Sequence, residues 1–202
     1  MKTFQASITG AILVAIAFTA QAQDYRGKAL ANMQRDFHAR GIATKDRLIE
    51  DTLQNICNRS DNKPPKDVGG RLQQDQFDAI KYPADDKFLG DWKAGEKIAQ
   101  QGRGMTWSDK AGQDNGGSCY NCHQIGPNET SFGTIGNSLF HFGKIRGNTP
   151  AIQKYVYGKI YNAKAFNLCS NMPRFGHSET LTEHQIKDLV ALLLDPNSPV
   201  NK

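Results

Sequence analysis

Gly117-Ser118-Cys119-Tyr120-Asn121-Cys122-His123-Gln124-Ile125 sets the terms for the rest of this 202-residue sequence. Cys-x-x-Cys-His is the attachment signature of c-type haem. Two thiols must reach different vinyl groups on one porphyrin edge, so a short helical turn has to present both at once. His123, next in the chain, is then placed to bring its imidazole to the iron as proximal ligand. The cofactor expected at Cys119, Cys122 and His123 is one covalently attached haem c. Two other readings compete. A zinc site needs four ligands, and outside the motif only Cys57, Cys169 and scattered histidines remain, with no second close-set pair. A redox-active Cys-x-x-Cys belongs beside a βαβ pattern, which this sequence lacks.

The iron's other axial position has several candidates. Met172 lies in Cys169-Ser170-Asn171-Met172-Pro173-Arg174-Phe175-Gly176, a loop without helical periodicity about 50 residues after His123. Pro173 fixes its own backbone and restrains Met172, which suits a thioether ligand. Met ligation would favour Fe(II) over bis-His ligation. Met172 is the expected distal ligand, with core filling as the bland alternative. Met33 sits on a polar stretch where packing is the default role, and Met105 follows Gly102-Arg103-Gly104. His141, in Phe140-His141-Phe142-Gly143, is a rival ligand. His38, His177 and His184 stand in polar contexts.

Cys57 and Cys169 are left over. In an exported chain an even remainder suggests one disulfide, which would tie the N-terminal region to the Met172 loop. Two buried thiols, or one thiol reserved for a partner, remain open alternatives. Export itself is read from the start of the chain. Met1 to Ala22 has a positive residue at Lys2, an apolar run of about a dozen residues from Ile8 to Ala20, and a small-x-small site at Ala20-Gln21-Ala22. That is a signal peptide rather than a membrane span. The mature chain should start at Gln23 and be soluble, without a membrane anchor.

Hydrophobic residues make up 38% of the chain, aromatics 9% and charged residues 22%, with a net charge of +5. No Lys/Arg cluster is interleaved with aromatics, so nucleic acid is a poor guess for a partner. A mild positive charge fits encounter with an acidic redox partner, or is ordinary solvated surface. Residues 23–87 read as an N-terminal extension with one or two short helices and a loop from Asn58 to Gly70. Residues 88–202 form the main domain. Within it, Asp91 to Gln101 is a plausible helix with Gly102 at its C-terminal cap and Gly95 permitting close helix contact. Another short helix is expected around Ile152 to Asn162. Thr182 and Gln185 make a capping box ahead of Ile186, Leu189, Val190, Leu193 and Leu194, which line one face of a helix closed by Asp195-Pro196. Period-2 alternation is almost absent. The fold class is all-α, and so few regular core positions suit a cytochrome c-like domain wrapped around a large apolar cofactor.

From Gly90 to Asn201 the chain resembles SoxX, the monohaem subunit of the thiosulfate-oxidising cytochrome SoxAX. The resemblance rests on Gly102-Arg103-Gly104, the Gly117–Ile125 stretch, Gly133-Thr134-Ile135-Gly136, Ser170-Asn171-Met172-Pro173-Arg174-Phe175-Gly176 and Ala191-Leu192-Leu193-Leu194-Asp195-Pro196-Asn197-Ser198-Pro199-Val200-Asn201. Asn137 departs from the family, which has Pro after Gly136; its carbonyl could still orient His123. The resemblance implies Cys119 and Cys122 as thioether attachments, with His123 and Met172 as axial ligands. It implies a periplasmic heterodimer with a SoxA-like cytochrome subunit, acting as an L-cysteine S-thiosulfotransferase that joins thiosulfate to a cysteine of a SoxYZ-like carrier. This chain would be the electron relay, passing electrons to a small acceptor cytochrome. It would have no catalytic residue of its own, since no nucleophile–base pair is legible. A free-standing electron-shuttle cytochrome explains the haem and the charge equally well. A haem enzyme of the peroxidase kind would need an open or labile sixth position.

Overall fold

A helix with apolar residues on nearly every side has to be surrounded, and Glu183–Leu194 is such a helix. A computed structural model describes residues 25–202. The expected leader, Met1 to Ala22, and the mature start at Gln23 lie outside the described residues. The described residues fall into two units, one ending at Ile49 and one running from Glu50 to Lys202. The expected boundary between residues 87 and 88 falls inside the second. They are helical, with no strand among them, so the described part of the chain is all-α. None of their helices is long and apolar enough to cross a membrane.

The first unit contains helix α1 (residues 25–36), one antiparallel bridge between Arg40 and Ala43, and a 3-10 turn at Lys45–Leu48. None of its described residues is buried; Met33 is half-buried, and Tyr25, Leu30, Phe37 and Ile49 are exposed.

The second unit is built from α2 (Thr52–Arg59), α3 (Lys66–Asp78), α4 (Trp92–Gln100), α5 (Phe142–Arg146), α6 (Pro150–Tyr161) and α7 (Glu183–Leu194). Asp51 and Gln54 close a capping box on α2, and Thr182 and Gln185 close one on α7, satisfying amides that a helix start leaves orphaned. Thr149 caps α6, with Pro150 at its first position. Ile186 and Leu189 to Leu194 are all buried in α7. α4 crosses α7 closely because Gly95 lacks a side chain: a Cβ there would sit 2.2 Å from the Asp188 carbonyl oxygen. The buried Asp188 carboxylate accepts from the Asp91 N–H at 2.8 Å, tying the start of α4 to the same helix.

Two local expectations are corrected. Asn58 to Gly70 is not one loop: α2 runs to Arg59 and α3 begins at Lys66. Gly69 and Gly70 lie inside α3, held there by long-range bonds. The Gln73 side chain donates to the Ala165 carbonyl at 3.0 Å, and Asn162 donates to the Gln76 carbonyl at 3.1 Å. Gly102 is not a left-handed cap on α4. Gln101 is the cap residue, and the Ile98 and Gln101 carbonyls are taken by the N–H groups of Gly117 and Ser118 at 2.8 and 2.9 Å.

The C-terminal segment clamps α7 to α5. The Ser198 hydroxyl donates to the Leu192 carbonyl, and the Asn201 amide donates to the Leu193 and Asp195 carbonyls at 3.0 and 2.9 Å. The same Asn201 accepts from the Gly143 N–H at 2.8 Å.

Candidate functional site

The end of α4 decides where the motif sits. Because Gly117 and Ser118 satisfy its last carbonyls, the 3-10 turn Cys119–Asn121 starts directly against the core. Ser118 enters that turn in the left-handed region, at φ 49°. The Cys122 and His123 N–H groups then both reach the Cys119 carbonyl, at 3.2 and 3.0 Å. Tyr120, between the two cysteines, points inward instead: it is buried, and its hydroxyl accepts from the Gly126 N–H at 3.0 Å. The thiols of Cys119 and Cys122 are unpaired with one another. Burial pushes the Cys119 thiol up to about 12, so it stays neutral; sulfur in an uncharged state suits an apolar wall.

Residues 133–139 run alongside the motif. Gly133 donates to the Tyr120 carbonyl, Gly136 to Cys122 and Leu139 to Gln124, each at 2.8 Å. This brings the Asn137 carbonyl to 2.7 Å from His123 Nδ1. A carbonyl only accepts, so Nδ1 carries a proton, and in the neutral ring Nε2 keeps the lone pair. Gly136 makes room for the ring: a Cβ there would lie 2.2 Å from Cε1 and 2.7 Å from Nε2 of His123. The Asn that replaces Pro at 137 still offers its carbonyl to the imidazole.

Met172 is half-buried against the same core. Its loop is braced from α2 at both ends. Cys169 is disulfide-bonded to Cys57, and the Arg174 guanidinium pairs with the Asp51 carboxylate. Beyond it, Gly176 lies under the Tyr161 ring, where a Cβ would approach within 2.2 Å, and the Gly176 and His177 N–H groups both donate to the Tyr161 carbonyl at 3.1 Å.

His123 and Met172 border three adjoining cavities of about 580, 390 and 40 Å³. The largest also exposes Cys119 and Cys122; the smallest, which exposes Cys119, is walled by Ile125, Ile160, Phe175, Leu189, Leu192 and Leu193. Lys159 lines both larger cavities, and its pKa is held below the ordinary lysine value by burial. Cavities of roughly 300–1,000 Å³, mostly apolar with a few converging polar groups, are of cofactor size. Two thiols, an imidazole and a thioether therefore line one cleft, and all of them but Cys122 also border its small apolar inner pocket. This donor set fits a haem attached through both cysteines.

The other sequence candidates lie elsewhere. The His141 Nε2 is 2.8 Å from the Lys202 carbonyl and its ring stacks on Phe140, so it holds the C-terminus. Met105, at φ 62°, lines none of the three cavities. His38 and His177 are exposed, and His184 stands 3.6 Å from Asp188 at the surface. Sequence reasoning missed the positioning parts of the site: Gly136 beneath the imidazole, and Asp51 opposite Arg174. Only the Gly-rich run at 133–136 hinted at the first.

No protein-family model matches the chain. It is 36% identical over 155 residues to an uncharacterized lipoprotein of Aquifex aeolicus (strain VF5), an alignment covering 76% of this chain and 73% of that protein. At that identity and coverage the chain belongs to the same family as the Aquifex lipoprotein.

Proposed function

We propose that this protein is an exported electron-transfer cytochrome carrying one haem c, and that it serves as the relay subunit of a SoxAX-like heterodimer. The observation that carries the reading is that Cys119, Cys122, His123 and Met172 line one cleft, which is continued inward by a small apolar pocket at Cys119, His123 and Met172. Cys119 and Cys122 would hold the haem through thioether bonds, and His123 Nε2 and Met172 Sδ would be the donors to its iron; bound there, the group would supply a one-electron Fe(III)/Fe(II) couple. The chain's own contribution is positional. Asn137 fixes the His123 tautomer, α2 braces the Met172 loop, and the buried side chains of α6 and α7 keep water from the inner wall.

In the heterodimer, a SoxA-like subunit would join thiosulfate to a carrier cysteine thiol of a SoxYZ-like protein. A sulfur–sulfur bond forms, the thiol proton is released and two electrons leave. They would pass singly through this chain to a small acceptor cytochrome. Ile135 and Phe132, exposed beside the motif, offer the apolar surface that partner docking uses. An envelope location is supported by the relative's description as a lipoprotein.

The full chain, matured in a host that attaches haem, should keep its haem after denaturation and organic extraction. Its oxidised form should be low-spin, with the weak far-red band of Met–iron ligation, and Met172→Ala should lose that band. A high-spin wild-type spectrum defeats the relay reading. Native copurification should bring down a larger haem-bearing subunit; elution alone would leave a free-standing shuttle cytochrome instead.

A further inference from the structure

Lys164 stands on the 3-10 turn Ala163–Ala165 with only 8% of its surface exposed. Among the described residues its ammonium has no hydrogen-bond acceptor and no carboxylate at ion-pair distance, and its nitrogen keeps contact with solvent. The stem is buried while the charged head keeps its water. Burial, then the nearby charge of Arg174, hold its pKa below the ordinary lysine value, with Asp51 opposing. Asp51 is already engaged by Arg174.

Lys164 lines a cavity of about 510 Å³ bounded by α2, the 163–165 turn and the Met172 loop. Four other residues on its wall, Gln54, Asn62, Ser170 and Asn171, carry donors with no acceptor among the described residues, while Asn58, Arg174 and Ser178 are already bonded. Gln54 uses its carbonyl oxygen on the Asp51 N–H, which leaves its amide protons free. Ser170 accepts from the Met172 N–H and keeps its hydroxyl proton. The amides of Asn62 and Asn171 are uncommitted. The one carboxylate on the wall, Glu50, is occupied by Asn55 and Asn58 at 3.1 and 2.7 Å.

We propose that this cavity binds a small tetrahedral oxyanion of the sulfate or phosphate class, with Lys164 supplying the charge and Ser170, Asn171 and Gln54 the directed hydrogen bonds. A tetrahedral anion presents acceptors in several directions, which suits several donors on one wall beside one unpaired cation. The anion would bridge the three segments that also hold Met172. Lys164 and Gln54 belong to this cavity alone, while Ser170 and Asn171 also border the neighbouring cleft.

Sodium sulfate titrated into the full chain, with chloride removed to keep ionic strength constant, tests it by calorimetry and thermal unfolding. Sulfate excluded from protein surfaces raises a melting midpoint without saturating, whereas an occupied site saturates. The wild type should give saturable heat and a saturable midpoint rise. Lys164→Gln should weaken the affinity about tenfold or more, as loss of a charge-assisted bond does, while Lys164→Arg stays close to wild type. Asn171→Asp keeps the lysine but adds a carboxylate to the wall, so it should weaken binding comparably and serves if Lys164→Gln fails to fold. Absence of a saturable phase in the wild type, or equal affinity in the wild type, Lys164→Gln and Asn171→Asp, overturns the site.

Discussion

The guanidinium of Arg174, two residues beyond Met172, pairs with the carboxylate of Asp51, the residue that caps α2. One side chain thus does two jobs: its Oδ1 accepts from the Gln54 N–H at 2.7 Å, and its Oδ2 receives Arg174. Arg174 also donates to Gln76 in α3 at 3.3 Å. The loop carrying the candidate iron ligand is therefore held by helices that lie more than 90 residues earlier in the chain.

Asp51→Asn separates the two jobs. Asn caps a helix as well as Asp, so the loss reports on the pair with Arg174. Asp51 is 40% exposed, and solvent screening limits the effect to about 1 kcal/mol, read from the urea midpoint at constant slope. Burial tends to raise the Asp51 pKa, but the Gln54 N–H and Arg174 outweigh it and hold it below 3.8. A carboxyl lowered on folding contributes in full above its unfolded value and loses that contribution as pH falls through its folded one. Wild type and variant should differ at neutral pH and converge as the pH drops below about 3.8.

Replacing Cys57 and Cys169 by Ser together removes the other brace. The bond spans 112 residues, and the loop-closure model assigns a crosslink of that length about 4–5 kcal/mol, as an upper figure. The double variant should unfold at clearly lower denaturant than the wild type. Adding reductant should shift the wild type toward the variant and leave the variant unmoved.

The helices that face the core were legible in sequence because burial imposes a period. Ile186, Leu189, Val190, Leu193 and Leu194 mark α7, and Gly95 marks the crossing with α4. α3 was not legible for the opposite reason. None of its residues is buried, so no apolar stripe signals it, and Gly69-Gly70 argues against a helix that only its bonds to Asn162 and Ala165 reveal. At the site, the cysteines and His123 announce themselves by spacing. Asp51 does not, because a surface acid gains its meaning only when a distant arginine is folded against it.

Gly136→Ala tests how tightly His123 is held. The added methyl would meet the imidazole at 2.2 Å, so the ring must swing away from the Asn137 carbonyl or the 133–139 segment must lift. Overpacking of this kind costs about 1–3 kcal/mol. Unfolding should show that loss, and in haem-loaded protein the low-spin fraction should fall. A variant with unchanged stability and an unchanged spectrum would mean that the ring is free to move.

Asn201→Ala tests the clamp that closes the molecule. Asn201 is 3% exposed and uses its whole amide: Nδ2 serves two carbonyls at the end of α7, and Oδ1 accepts from Gly143 and Lys144 at the start of α5. Truncation strips partners from groups at both helix ends. Each buried polar group left unsatisfied costs about 1–3 kcal/mol, and relaxation toward water recovers part of it, so a net loss of about 2–4 kcal/mol is expected. Hydrogen exchange locates the cause: the Gly143 and Lys144 amides should lose protection in the variant, while the Gly95 amide, bonded to Asp91 at the start of α4, should exchange no faster than the overall destabilisation requires. Asn201→Asp retains the acceptor but faces two carbonyls with a carboxylate, so it should be at least as destabilising. An Asn201→Ala protein with wild-type stability and wild-type exchange at Gly143 would show that the C-terminal segment is not what holds α5 to α7.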